Sequence, residues 1–284
     1  MSSVELNVID HDRASAGLRY VYPVISRRAG GVSVGINLNT NNACNWRCIY
    51  CQVPDLKLGT APPVDLALLE KELRGFLHEL LHGDFMQQRV PEGARRINDI
   101  ALSGNGEPTS ASEFSQVIDL IEFIKIELAL PQHIKTVLIT NGSLMHRPDV
   151  QQGLRKMAGL GGEVWFKLDR ASVKGMQDIN HTQSSIKKVR EFLITAIDLC
   201  PTWVQTCWFA LDGHAPSRQD EDDYLDLISG LKRDNKLPKG VLLYTLARPS
   251  LQAEAPRLTA LSALQMESFT ERIRALGLEV KVSV

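Results

Sequence analysis

The chain has 284 residues, 44% of them hydrophobic, with a formal net charge of −1 and a pI of about 6.7. That length can bury a sizeable single core, and the near-neutral balance gives no global electrostatic footprint for nucleic acid or an anionic membrane. Apolar runs such as "GVLLY" fall far short of the roughly 20 residues that span a bilayer, and "MSSVELNVIDHDRAS" is acidic and polar where a signal peptide is basic and then apolar.

In chain order, β-rich runs alternate with helical patterns. Residues 1–33 read as an N-terminal extension in which "LRYVYPVIS" could form a strand, and residues 34–284 read as one domain. The first strand of that domain is "VGINLNT" (34–40). A helix over 64–83 follows, with Leu66, Leu69, Leu73, Phe76, Leu77 and Leu80 at three- and four-residue steps, the mark of one buried face. Strand 97–104 is followed by helix 111–128, with Val117, Leu120, Ile121 and Ile124 on one side, and strand 135–142 by a helix near 148–158. Strand 163–169 pairs with helix 184–200, strand 203–213 with helix 220–234, and strand 240–248 with helix 262–277. "LEVKVSV" supplies a further strand at the C-terminus. Parallel strands need crossover connections, so this alternation predicts an α/β fold, a partial (β/α)6 TIM-like barrel, with a doubly wound sheet as the alternative. Either fold gathers function at the C-terminal ends of its strands.

The polar and glycine-rich segments fall at those ends. They are the cysteine cluster "NNACNWRCIYC", then "SGNGEPT", "TNGS", "KLDR", "LDGH" and "TLARP". Cys44, Cys48 and Cys51 form a Cx3Cx2C pattern with no fourth cysteine until Cys200. A structural zinc site wants a fourth ligand close in sequence, whereas cysteine thiolates also hold iron–sulfur clusters, normally as four. The outlying His11, His78 and His82 are read as ordinary solvated or half-buried residues, and Cys200 and Cys207 as buried core thiols. Five cysteines, three of them clustered, suit a reducing compartment, so a soluble, cytoplasmic protein is expected.

The segment "CNWRCIYC" resembles the cluster loop of the radical S-adenosylmethionine (radical SAM) superfamily, including the aromatic Tyr50 before the last cysteine. The resemblance implies a [4Fe–4S] cluster on Cys44, Cys48 and Cys51, with S-adenosylmethionine on the open iron. It implies reductive cleavage to a 5′-deoxyadenosyl radical that abstracts hydrogen, and an electron donor such as a flavodoxin or ferredoxin. Trp46, Ile49 and Tyr50 would shield the cluster; Arg47 would bring a counter-charge or stand in solvent. Gly104, Asn105, Gly106 and Glu107 match the superfamily's "GGEP"-like segment, which binds the methionine amino group. Asn141 and Ser143 would bond the ligand's carboxylate or ribose. Lys167 and Asp169, two apart on one strand face, would suit a carboxylate and ribose hydroxyls, or else each other. Arg248 would meet a substrate anion or cap its loop, and the basic "IKKVR" (186–190) would be a solvated helix face. No catalytic residue beyond these is assigned.

"SGNGEPT…LITNGSL…KLD" is similar to the branch that contains the wyosine-forming tRNA enzymes, which carry a second cluster on upstream cysteines. None precedes Cys44 here, so a single-cluster member is implied. The substrate classes left open are an RNA nucleotide, a protein of the kind served by glycyl-radical activating enzymes, and a small molecule. A zinc-binding module or a redox iron–sulfur carrier are the non-enzyme alternatives.

Overall fold

The computed structural model describes Leu6, residues 16–26 and residues 30–284; His11 and most of the acidic N-terminal segment lie outside them. The strands are β1 (Val21–Ile25), β2 (Val32–Ile36), β3 (Ala43–Cys44), β4 (Lys57–Leu58), β5 (Ile97–Leu102), β6 (Lys135–Thr140), β7 (Glu163–Lys167), β8 (Thr202–Cys207), β9 (Phe209–Leu211), β10 (Gly240–Tyr244), β11 (Leu258–Ala260) and β12 (Glu279–Ser283). The helices are α1 (Leu66–His82), α2 (Phe85–Arg89), α3 (Phe114–Glu127), α4 (Pro148–Gly159), α5 (Val173–Asn180), α6 (Ile186–Leu199), α7 (Arg218–Arg233) and α8 (Ala263–Ala275).

One eight-stranded sheet has the order β1-β2-β5-β6-β7-β8-β10-β12. From β2 to β12 every neighbouring pair is parallel, while β1 lies antiparallel on the edge beside β2. The partial barrel expected from the alternation is present, with "LEVKVSV" as its last strand and part of "LRYVYPVIS" as the edge strand. Two short ribbons decorate the mouth: β9 with β11, and β3 with β4. The expected strand 203–213 is in fact two strands, interrupted at Trp208, whose N–H still donates to Tyr244 O (2.8 Å) while its ring stacks on Phe269 with centroids 4.4 Å apart.

The period-2 pleat separates the two faces of each strand. Ile100 and Leu102, Leu138, Val164 and Phe166, Val204, Val241 and Leu243 belong to the main apolar core with the inner faces of the helices. Their alternates point into the lumen: Asp99, Ala101 and Ser103, Ile139 and Asn141, Trp165 and Lys167, Gln205 and Cys207, and Tyr244 line one cavity.

The helix starts follow their local chemistry. Asp65 accepts the Leu68 N–H at the start of α1, and Ser217 with Asp220 and Ser262 with Gln265 close capping boxes on α7 and α8. The buried face of α1 is Leu69, Leu73, Phe76, Leu77 and Leu80 as expected, with Leu66 only half-buried. It also carries Glu72, whose carboxylate accepts the backbone N–H groups of Arg19 (2.9 Å), Tyr20 (2.8 Å) and Val21 (3.3 Å). A buried carboxylate with several backbone donors is satisfied, and here it fastens the start of the edge strand to the first helix.

Helix α5 has no counterpart in the sequence reading. Its eight residues include Gly175 and bury few apolar side chains, Met176 and Ile179. A helix that short shows little periodicity, and Gly lowers its propensity. Ser172 starts it by accepting the Gly175 N–H, and His181 ends it in the left-handed conformation.

Candidate functional site

Five of the six strand-end segments meet at one cavity of about 320 Å³, in the lower part of the size range of small-molecule sites; "LDGH" does not reach it, and its Asp212 pairs with Arg257 instead. Its wall includes Cys44, Cys48 and Cys51, the backbone of Gly104 and Gly106, Glu107, Asn141, Lys167 and Arg248. Asn105, Ser143 and Asp169 do not line it, and each is spent on holding a loop in place.

The "SGNGEPT" turn is built by close approach. Gly104 has φ +137°, and a Cβ on Gly106 would sit 2.1 Å from the Ala43 carbonyl oxygen, so only glycine lets this turn lie against the cysteine loop. Asn37 Oδ1 accepts the Asn105 N–H (3.0 Å), and Asn39 Nδ2 donates to Ala43 O (2.9 Å) and Ser110 Oγ (3.2 Å). The Asn105 amide donates to Asn42 Oδ1 (2.6 Å), while its own oxygen is buried without a partner.

Glu107, 2% exposed, accepts from Thr109 N (3.1 Å), Thr109 Oγ1 (2.6 Å), Thr140 Oγ1 (2.6 Å) and Asn141 N (2.7 Å). Burial pushes its carboxyl above the usual range, and these donors offset part of that. The carboxylate thus rivets the second strand end to the third. Asn141 then donates to Asn45 Oδ1 (2.8 Å), and Asn45 to Ser143 Oγ (2.7 Å), which binds "TNGS" to the residue after Cys44.

The cysteine loop is held from the other side by two segments distant in sequence. The end of α5 takes the Arg47 N–H on Asn180 O (3.2 Å) and the Ile49 N–H on Ile179 O (2.9 Å). Residues 250–254 form the second: Ser250 Oγ donates to Ile49 O (2.8 Å), the Leu251 N–H to Cys51 O (2.9 Å) and Gln252 Nε2 to Val53 O (2.9 Å). Arg47 is neither a counter-charge in the cavity nor a free solvent residue. Its guanidinium forms a two-point pair with Glu254 (2.9 and 3.1 Å) and meets His181 Nδ1 at 3.1 Å.

Asp169 is 2% exposed and lies behind the cavity wall instead of facing a ribose from it. It accepts from the Tyr50 hydroxyl, from Asn180 Nδ2 (2.7 Å) and from the Cys207 N–H (2.8 Å). Lys167 does reach the cavity; its ammonium sits 4.8 Å from the Tyr50 ring centroid and 3.4 Å from the Tyr244 hydroxyl. Trp46, Ile49 and Tyr50 are buried, the last two against Ile179, Cys207 and Phe209.

Burial pushes the Cys44 and Cys48 thiols up to about 12, so they carry protons until a metal displaces them. Among the described residues no group of three or more His, Cys, Asp or Glu converges on the position of one metal ion. The three thiols share the wall of the cavity. His78 and His82 stand on an exposed face of α1 with their rings 4.9 Å apart. In "IKKVR", Lys187 and Lys188 are exposed, and Arg190 pairs with Asp234. Arg248 Nη1 lies 3.4 Å from Gln52 Oε1.

Cys200 is a core thiol as expected, but Cys207, equally buried, faces the cavity beside Lys167 and Tyr244. The apolar run around Cys207 hid its direction. The one available signal was Gln205, a polar residue two positions earlier and therefore on the same face of β8. Asn180 carried no signal at all, since its role depends on α5, which is too short to show a hydrophobic period.

No protein-family model matches the chain. Its fold is that of the radical SAM partial barrels. It superimposes on a radical SAM methyltransferase from Sphaerobacter thermophilus with a TM-score of 0.61, at 12% identity over 93% of this chain and 68% of that one. With TYW1 carrying a bound lysine–pyruvate adduct the TM-score is 0.58, at 13% identity over 87% and 74% of the two chains. The fold is the one that the resemblance of the cysteine loop implies. In sequence the chain is similar to a UPF0026 protein of Helicobacter pylori (strain ATCC 700392 / 26695), 28% identical over 251 residues, which are 88% of this chain and 72% of that protein.

Proposed function

We propose that this protein is a cytoplasmic radical SAM enzyme that holds a [4Fe–4S] cluster on Cys44, Cys48 and Cys51 and binds S-adenosylmethionine beside it. One observation carries the reading: three thiols of one loop line the same cavity as the "SGNGEP" turn, Asn141 and Lys167. The donor set fits the group. Ligation by the three cysteines of the one loop, with Cys207 of β8 left as a separate thiol on the wall, would leave one iron open, and Gly104 and Gly106 remove the Cβ atoms that would keep a ligand from the turn's backbone. Reduced by a flavodoxin or ferredoxin, the bound cluster and S-adenosylmethionine would supply a 5′-deoxyadenosyl radical that abstracts hydrogen from the substrate.

The protein's own part is orientation and exclusion. The turn at Gly104–Glu107 offers the backbone groups of Gly104 and Gly106 to an ammonium; Asn141 and Lys167 offer donors to a carboxylate or hydroxyl. Ile49 and Tyr50, packed on Phe209, keep water from the cysteine side. The substrate class we propose is an RNA nucleotide, on the likeness of "SGNGEPT…TNGSL…KLD" to the wyosine-forming branch.

Reconstituted with iron and sulfide without oxygen, then reduced in the presence of S-adenosylmethionine, the protein is expected to be brown and to release 5′-deoxyadenosine and methionine. Cys48→Ala is expected to abolish both colour and product. A fully loaded wild-type protein that releases no 5′-deoxyadenosine overturns the proposal. RNA of unchanged mass after incubation with the active enzyme removes the substrate class alone.

A further inference from the structure

The three cysteines differ in what surrounds their sulfurs. Asn180 Nδ2 lies 3.2 Å from Cys48 Sγ and 2.7 Å from Asp169 Oδ2. The side-chain amide has two hydrogens on this nitrogen, one for each acceptor. Its orientation is fixed by chemistry, because turning it over would aim the amide oxygen at both a carboxylate and a sulfur. Asp169 is itself held by the Tyr50 hydroxyl and the Cys207 N–H, and Asn180 is 1% exposed, so the arrangement is rigid and dry. Cys44 has a backbone N–H, that of Trp46, and a 4.0 Å contact with the Asn45 amide oxygen, but no side-chain amide donor.

We propose that Asn180 is a positioning residue that sets the reduction potential of the cluster through an N–H···S bond to Cys48; the proposal rests on the cluster reading above. Adding an electron places more negative charge on the cysteine sulfurs, and an N–H donor stabilises that charge, which raises the potential. The buried Asp169 carboxylate next to it acts the other way. Asn180 therefore does two things: it donates to the sulfur, and it shares with the Tyr50 hydroxyl the Oδ2 atom of that carboxylate. Its backbone oxygen separately accepts the Arg47 N–H. A side-chain replacement thus removes the sulfur bond and leaves the backbone clamp.

The test is a redox titration of the reconstituted protein, following the cluster by electron paramagnetic resonance. Asn180→Leu, close in volume and without a donor, is expected to lower the midpoint potential. At a fixed solution potential the ratio of reduced to oxidised cluster should fall about tenfold, which is a shift of about 59 mV for a one-electron couple. Asn180→Asp keeps the shape and sets a third acceptor between sulfur and carboxylate; it is expected to shift the potential further down or to lose cluster from a folded protein. A folded, loaded Asn180→Leu with the wild-type potential overturns the proposal, and Asn180→Asp decides in the same way if leucine does not fit. A wild-type protein that takes up no cluster overturns instead the reading on which the proposal rests.

Discussion

The two sides of the cavity are held together in different ways. On the β5–β6 side, Glu107 finds all its partners between 2 and 34 residues away, on its own turn and on the next strand. On the opposite side the cysteine loop is clamped by Asn180, Ser250 and Glu254, which lie 132, 201 and 207 residues from their partners. The first side is a motif that carries its own geometry. The second exists only once the barrel has brought β7 and β10 round to the first strand. The radical chemistry proposed above would need both: the motif to present groups to a ligand, and the clamp to fix the thiols and keep water out.

If the β5–β6 side depends on close approach, filling that approach should have the largest effect. Gly106→Ala puts a methyl group against the Ala43 carbonyl, a backbone atom that cannot swing aside. We expect a loss of about 3 kcal/mol, read as a lower melting temperature, together with poor iron loading. Normal loading at an unchanged melting temperature would show that the loop is not pinned there. Glu107→Gln tests the rivet. It replaces one acceptor oxygen by a donor facing donors, so about 2 kcal/mol should be lost, with melting and chemical denaturation reporting the same change.

The clamp side should respond less, because its contacts are many and individually weak. Arg47 and Glu254 form a partly exposed pair, with side chains 31% and 17% exposed, and such a pair contributes below about 1 kcal/mol. The Arg47 guanidinium holds the Glu254 carboxyl below the usual carboxylate range. An acid whose folded pKa is depressed stabilises the fold above its unfolded value and loses that contribution as pH falls through the folded value. The melting difference between wild type and Glu254→Gln should therefore be small at neutral pH, begin to shrink near the unfolded value of about pH 4 and vanish only below the depressed folded value. A difference that persists in acid would mean the segment is held by shape and not by charge.

Much of this was legible because local chemistry wrote it. Apolar residues at helical steps gave the helices, strand–helix alternation gave the parallel barrel, and Cx3Cx2C with "SGNGEPT" gave the loop and turn at its mouth. Less visible were features whose partners lie far along the chain. Glu72 looked like one more charged residue on a helix, Arg47 like a loop residue in solvent, and α5 was too short and too poor in apolar residues to show a period.

By itself, then, the sequence determined which residues could bind and in what order they would meet the mouth of the barrel, because hydrophobic periodicity and motif spacing act over a few residues. Only the tertiary structure decided how those residues are used. It turned Asp169 from a wall residue into the anchor of Tyr50, Asn180 and β8, and it aimed Cys207 into the cavity. It also set the amide of Asn180 against Cys48. Those assignments follow from which buried donors and acceptors end up adjacent, and a buried polar group takes whatever partner the fold brings to it.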